Sequence, residues 1–158
     1  MRWLVKATLV VALVAGADYG YSEQRVTRPW SGTWSGDTMF VGTCGNGALL
    51  GIDSGTGYAE HMGNSTHVST YCLDPVTWNG SGTGVETAAN GDELYFQLTL
   101  QIIWTSVADG IWREAETMTG GTGRFVGATG SSTSSGTFTL TSPTTTVWEG
   151  THTGTLTY

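Results

Sequence analysis

The chain has 158 residues, including 24 glycines, 28 threonines and only three prolines, and its formal net charge is −7. Scarce proline and the lack of a three-residue glycine period exclude collagen-like and proline-rich disordered chains. Charge-driven disorder is also excluded, because only 12% of residues are charged while seven Trp, six Tyr and four Phe can be buried.

The first residues have the layout of a secretory signal peptide. Arg2 and Lys6 precede an apolar run over residues 7–16. The small residues Ala15, Gly16 and Ala17 stand at its end, and they are typical of a cleavage site. We expect cleavage after Ala17, with Ser22 as a second candidate position. The apolar run is shorter than the roughly 20 residues that a membrane-spanning helix needs. A buried first strand and an uncleaved anchor are the alternatives.

Cleavage sets the expected compartment and charge of the mature chain. Residues 18–158 then form one secreted domain, either extracellular or periplasmic. Four arginines remain against 13 carboxylates, which gives a formal charge of −9 with no lysine. Such a surface repels phosphate, so we expect no nucleic acid partner. We also expect no membrane partner after cleavage.

Alternating apolar residues predict strands along the whole mature chain and no helix. The clearest strand covers residues 93–105, where apolar side chains at even positions alternate with mostly polar ones. The Asn90-Gly91 dipeptide before it is a strong signal for a two-residue hairpin. Further strands are predicted over residues 30–41, 57–61, 65–73, 85–89, 111–119, 137–141 and 147–157.

The last predicted strand, residues 147–157, has two different faces. One face is nearly all threonine and is expected to meet solvent. The other face carries Gly150 and Gly154, where curvature or close backbone approach is needed.

Eight or so strands with short connections predict an all-β, antiparallel β-barrel, since closure removes exposed sheet edges. A β-sandwich is the alternative.

The two cysteines, Cys44 and Cys72, both lie in the mature part. Secretion permits a disulfide between them, and no CxxC metal or redox spacing is present. Closing this loop would stabilise the fold by about 3 kcal/mol in the chain-entropy model. Two buried free thiols are the alternative.

Residues 120–130 read GGTGRFVGATG and resemble the GGTGRFxGATG signature of a group of secreted bacterial proteins of unknown function. Upstream, GYAEHMG at residues 57–63 resembles their GxATHLG segment, with Glu60 and Met62 in place of Thr and Leu. AANGDEL at residues 88–94 resembles their AANGDxL segment. The glycine-rich turn is also similar to that of the allene oxide cyclase and dirigent proteins.

This resemblance implies an allene oxide cyclase-like, eight-stranded barrel and a homo-oligomer such as a trimer. No catalytic residue of either family aligns with a position of this chain, so none is carried over. The glycine-rich turn also has a plain structural interpretation, in which Phe125 anchors the core and Arg124 either pairs with a carboxylate or caps exposed carbonyls. It lacks the GKS/T ending and the helix of a phosphate-binding loop.

His61 and His67 are the only histidines close in sequence, and with Glu60 or Glu86 they are candidates for a metal or acid/base site. No HxH or HExxH spacing is present, and scattered histidines are more often hydrogen-bonded or surface residues. We therefore expect no metal and no cofactor.

Glu114 and Glu116 are two residues apart on a predicted strand and share a face with Trp112 and Met118. If this face points inward, the two carboxyl groups are general acid/base candidates. If it points outward, they are solvated charges, an alternative favoured by the rarity of buried charge. Tyr95 is a third candidate catalytic residue.

The aromatic residues are candidates for binding a hydrophobic small molecule or a carbohydrate. Inside a barrel, Tyr71, Tyr95, Trp112 and Trp148 would line a cavity. In their turn-rich contexts, Trp30, Trp34 and Trp78 are candidates for a flat binding platform. Core filling is the alternative for all of them.

The favoured function is a non-catalytic extracellular module that binds a small molecule or a surface, or has a structural role. One alternative is an isomerase or cyclase that acts on a hydrophobic substrate inside the barrel. A second alternative is a self-assembling or adhesive extracellular protein. The sequence leaves open whether the protein is an enzyme.

Overall fold

A computed structural model describes residues 25–158, so the predicted signal peptide (residues 1–17) lies outside the described residues. Eight antiparallel strands pair in chain order, and the last pairs with the first, which confirms the closed barrel. The sandwich alternative is therefore wrong. No helix within residues 25–158 is long and apolar enough to cross a membrane. The strands are β1 (Thr27–Gly45), β2 (Ala48–Ala59), β3 (Gly63–Leu73), β4 (Asn79–Thr87), β5 (Glu93–Trp104), β6 (Asp109–Gly121), β7 (Thr129–Ser142) and β8 (Thr145–Thr157).

Asn-Gly dipeptides lie in two of the strand connections, but only one of them forms a two-residue hairpin. Asn46 and Gly47 have φ values of 49° and 79°, and they join β1 directly to β2. Residues 88–92 instead form a five-residue loop in which Gly91, and not Asn90, has a positive φ. The hairpin predicted at Asn90-Gly91 is therefore wrong in type, although the chain does reverse there.

Inward-facing glycines allow aromatic rings from adjacent or nearby strands to lie directly on the barrel wall. A Cβ atom added to Gly84 would lie 2.2 Å from the Phe96 ring, and one added to Gly57 would lie 2.7 Å from the Trp34 ring. A Cβ atom added to Gly150 would lie 2.4 Å from the Trp112 ring. This is the close approach that the glycine face of β8 predicted. The barrel interior is thus filled by large rings from some strands and by bare backbone from others.

One end of the barrel, called the closed end here, is filled by apolar side chains. Phe125 is 0% exposed and belongs to a short 3₁₀ turn (Gly123–Phe125) between β6 and β7. Arg124 extends away from the core, with its Nε atom 3.6 Å from a carboxylate oxygen of Asp92. The structural interpretation of the glycine-rich turn is confirmed. Other buried side chains at this end are Trp30, Ala59, Met62, Ala88, Leu94, Ala128 and Leu156.

The three segments that carry the family resemblance meet at this closed end. The backbone N–H of Ala89 donates to the carbonyl of Met62 at 3.2 Å. The backbone N–H of Thr122 donates to the carbonyl of Glu93 at 2.8 Å, and the Thr122 hydroxyl accepts from the Glu93 N–H. The motifs therefore build one structural end of the barrel.

Cys44 and Cys72 form a disulfide with a Cα–Cα distance of 5.9 Å, as predicted. It links β1 to β3 although β2 lies between these strands.

Reduction of this disulfide is expected to lower the free energy of unfolding by about 3 kcal/mol. The two cysteines are 28 residues apart, and without the bond the unfolded chain between them regains conformational entropy. Urea unfolding of the oxidised and reduced protein measures the difference. The double variant Cys44→Ser/Cys72→Ser is the matched control and should behave like the reduced protein. A double variant as stable as the oxidised protein would contradict the prediction.

Candidate functional site

A cavity occupies the half of the barrel opposite the closed end, towards the rim formed by the loops at residues 46–47, 74–78, 105–108 and 143–144. It offers about 70 Å³ to the centres of water molecules, which is room for several waters or a small ligand. Its wall is largely aromatic, with polar groups deeper inside. The aromatic lining residues are Trp34, Phe40, Tyr71, Trp78, Trp104, Trp112, Phe138 and Trp148.

The aromatic wall is held by edge-to-face packing. Near the rim, the rings of Trp104 and Phe138 lie 4.9 Å apart at 84°. Deeper in the barrel, the rings of Trp112 and Trp148 lie 6.1 Å apart at 79°. Edge-to-face packing is a favourable arrangement of two aromatic rings, so these contacts hold the rings of the cavity wall in place.

Glu114 and Glu116 point into the barrel, so the favoured solvent-facing alternative was wrong. On the inner face of β6 they pair in register with Leu100 and Leu98 of β5, while Arg113 and its outward neighbours are exposed. Strand β7 makes this burial tolerable, because Ser132 donates a hydrogen bond to Glu116. Buried charged groups are rare unless they have hydrogen-bond partners. The partners of Glu116 are serines on the neighbouring strand β7, and the sequence of β6 alone does not reveal them.

Glu114 is the carboxyl group with the least compensation. Burial raises its pKa well above the ordinary value, and the negative charge of Glu116 raises it further. Its Oε1 atom is buried and has no hydrogen-bond partner among residues 25–158. This oxygen is therefore free to meet a ligand.

Asp53 adds a third acidic group to the cavity and was not recognised in the sequence. Its oxygens accept hydrogen bonds from the hydroxyls of Thr38 at 2.5 Å, Tyr71 at 3.2 Å and Ser69 at 3.4 Å. Burial nevertheless raises the pKa of Asp53. Because these three donors hold it, Asp53 is already satisfied within the protein.

His67 and Glu86 form a buried pair, with Nδ1 of His67 3.8 Å from Oε1 of Glu86. Burial raises the pKa of Glu86 to about 7, against the opposing effect of His67. Burial alone would lower the pKa of His67, but the neighbouring carboxyl group of Glu86 and the charges of Asp53 and Glu116 raise it overall.

His61 does not join this pair. It lies in the turn at the closed end, and its Nε2 atom is 3.1 Å from the carbonyl oxygen of Pro29. The predicted meeting of His61 and His67 is wrong, because the turn carries His61 out of the β2–β3 ladder. Residues 25–158 contain no group of three or more side chains placed to hold a metal ion.

The third histidine, His152, is buried next to Trp34, which lines the cavity. Its Nδ1 atom accepts a hydrogen bond from the indole N–H of Trp34 at 2.8 Å. Burial lowers the pKa of His152, so the ring is neutral near pH 7. Its neighbour Trp30, with ring centroids 4.1 Å apart, is buried at the closed end and forms no exposed platform.

Of the four predicted ligand-binding residues, Tyr71, Trp112 and Trp148 line the cavity. Tyr95 does not, since it lies on the outer face of β5 and its hydroxyl donates to Glu93 at 2.7 Å. This corrects its proposed place among the catalytic and ligand-binding residues. The two predicted platform residues Trp34 and Trp78 also line the cavity.

The indole N–H groups of Trp104, Trp112 and Trp148 are buried without a hydrogen-bond partner in the described part of the chain. All three residues line the same cavity. A buried donor left unpaired is costly, so a cluster of them needs an explanation.

Comparison with protein-family models, with curated proteins and with solved structures finds no match to this chain. The resemblance seen in the sequence motifs therefore stays a prediction.

Proposed function

We propose that this protein is a secreted binding protein that holds a small molecule inside the barrel. The observation that carries the proposal is the set of buried, unpartnered indole donors in the cavity wall, on Trp104, Trp112 and Trp148. A bound ligand would accept hydrogen bonds from these donors. Without a ligand, water molecules in the cavity would accept them, and the ligand would displace these waters on binding. An apolar wall with a few polar groups is the usual composition of a small-molecule site.

The size of the cavity favours binding of a small compound over folding of a long substrate. Its volume of about 70 Å³ for water centres leaves little room for a chain to change shape. Cyclisation of a long hydrophobic substrate would need a pocket of roughly several hundred Å³. The cyclase alternative has less support than the binding function.

A second candidate function, an isomerase acting on a small substrate, is favoured by one observation. Glu114 lines the cavity, and burial beside Glu116 raises its pKa. A carboxyl group with a raised pKa can act as a general acid. Turnover of a bound compound that disappears in Glu114→Gln would establish this function.

Secretion is supported by the signal-peptide pattern of residues 1–17 and by the disulfide, which fits an oxidising compartment. The proposal of an allene oxide cyclase-like relationship, with its expected trimer, is supported by the motifs and by the eight-stranded closed architecture.

Saturable binding of a small neutral aromatic alcohol, 2-phenylethanol, tests the binding function. Thr146 lines the cavity, whereas the next residue, Val147, is exposed on the outer face. We expect wild-type protein to bind the alcohol, measured by saturation-transfer NMR, and Thr146→Phe to lose binding because the new ring fills the cavity. The control Val147→Phe should bind like wild type.

Circular dichroism of both variants checks that the barrel is intact. Wild-type protein that binds neither 2-phenylethanol nor its amine analogue 2-phenylethylamine, or equal binding to Thr146→Phe and Val147→Phe, would overturn the proposed function.

A further inference from the structure

The cavity is acidic and contains almost no positive charge of its own. Four carboxyl side chains line it, on Asp53, Glu86, Glu114 and Glu116, and His67 is the single basic lining residue. Residues 25–158 contain no lysine and four arginines. Three of these arginines are exposed outside the cavity, and Arg124 pairs with Asp92 at the closed end.

The four carboxyl groups differ in how fully the protein satisfies them. Asp53 accepts from three hydroxyls, and Glu116 accepts from Ser132 and Ser134. Glu86 is 1% exposed and is paired through Oε1 with His67, which leaves its Oε2 atom without a partner in the described chain. Oε1 of Glu114 is equally unpartnered.

Two carboxyl oxygens in the cavity are thus left open, although a buried acidic group is costly without a hydrogen bond or a counter-charge.

The aromatic wall decides which kind of counter-charge fits. A small, strongly hydrated metal ion needs several oxygen or nitrogen ligands at short distance, and no such group is formed within residues 25–158. Tryptophan rings attract organic cations, and the attraction grows as the site is dehydrated. Trp112, Trp148 and Tyr71 line the cavity together with Glu114.

We propose that the ligand of this cavity is a small organic ammonium compound, with its charged nitrogen at Glu114 and its apolar body among the tryptophan rings. This inference rests on the proposed binding function and adds the chemical class of the ligand. The cation supplies the positive charge that the chain does not place in its acidic interior.

Three compounds of nearly equal shape separate the inference from the function on which it rests. They are 2-phenylethylamine, its neutral analogue 2-phenylethanol and its anionic analogue phenylacetate. Isothermal titration of wild-type protein at pH 7 should give an affinity for the amine at least roughly tenfold above that for the alcohol. Phenylacetate should show no measurable binding.

The outcomes distinguish the two proposals. If the alcohol binds as tightly as the amine, the ammonium specificity is wrong and the binding function stands. If phenylacetate binds best, the ammonium specificity is also wrong. If none of the three compounds binds, both proposals fail.

Glu114→Gln tests the position of the charge. We expect it to weaken amine binding by roughly tenfold or more, while 2-phenylethanol affinity changes by less than about twofold. Glu149→Gln is the matched control, because Glu149 is exposed on the outer face of β8. An unchanged amine affinity in folded Glu114→Gln would remove Glu114 from the site. The ligand series on wild type stands independently of any variant.

Discussion

Replacing Phe125 by alanine is expected to lower the free energy of unfolding by about 3 to 5 kcal/mol. Phe125 is 0% exposed, and its ring lies 5.3 Å from the ring of Tyr158. The side chain fills the closed end of the barrel, where β6 turns into β7. Its removal leaves a cavity that strands fixed on both sides by hydrogen-bonded ladders cannot collapse to fill.

Urea unfolding followed by circular dichroism measures this loss. The neighbouring variant Val126→Ala is the matched control, because Val126 is 64% exposed and should change stability by less than about 0.5 kcal/mol. A loss for Phe125→Ala as small as that of the control would show that the glycine-rich turn does not anchor the closed end.

The protein is expected to be more stable at pH 5 than at pH 8. Burial raises the pKa of Glu86 to about 7, and it also raises the pKa values of Glu114 and Asp53. The folded state therefore keeps protons that the unfolded chain releases above about pH 4.5. Raising the pH through this window then favours unfolding.

The two buried histidines act in opposite directions. His67 has a raised pKa, so its stabilising contribution is lost as the pH rises through the folded-state value. His152 has a lowered pKa and therefore favours the folded state as the pH rises past its value. Three carboxyl groups and His67 act in one direction and only His152 acts in the other, and the shift of Glu86 contributes roughly 2 to 3 kcal/mol to the difference between pH 5 and pH 8.

Urea midpoints at pH 5, 6, 7 and 8 check this prediction. Glu86→Gln should flatten the pH dependence, because the variant side chain does not titrate, while Glu149→Gln on the outer face should leave the dependence unchanged. Stability that rises steadily from pH 5 to pH 8 would show that the buried carboxyl groups are not held as described.

The motifs and the candidate site lie at opposite ends of the barrel. GGTGRF, AANGDEL and GYAEHMG meet at the closed end, whereas the cavity with Glu114, Trp112 and Trp148 faces the rim. A resemblance based on these motifs therefore concerns how the barrel is closed. It carries no information on the ligand, which depends on side chains outside the motifs.

Strand prediction was accurate where apolar residues alternate and failed where the inner residues are small. The strand at residues 93–105 and the threonine face of β8 were both predicted from alternation. Most of β2, most of β4 and the first half of β7 were not predicted as strands. In these segments Gly51, Gly84 and Gly136 occupy inner positions, where a ring or backbone from another strand fills the space.

The sequence by itself determined that this protein is built from antiparallel β-strands, since alternation and turn residues are local properties. It favoured a closed barrel and one disulfide, and the tertiary structure decided both, against a sandwich and free thiols. The sequence also identified Tyr71, Trp112 and Trp148 as cavity-lining candidates. The tertiary structure alone decided that Glu114 and Glu116 point inward and that Tyr95 points outward. Strand register fixes these directions, and register depends on partners such as Ser132 and Leu98 that lie on neighbouring strands.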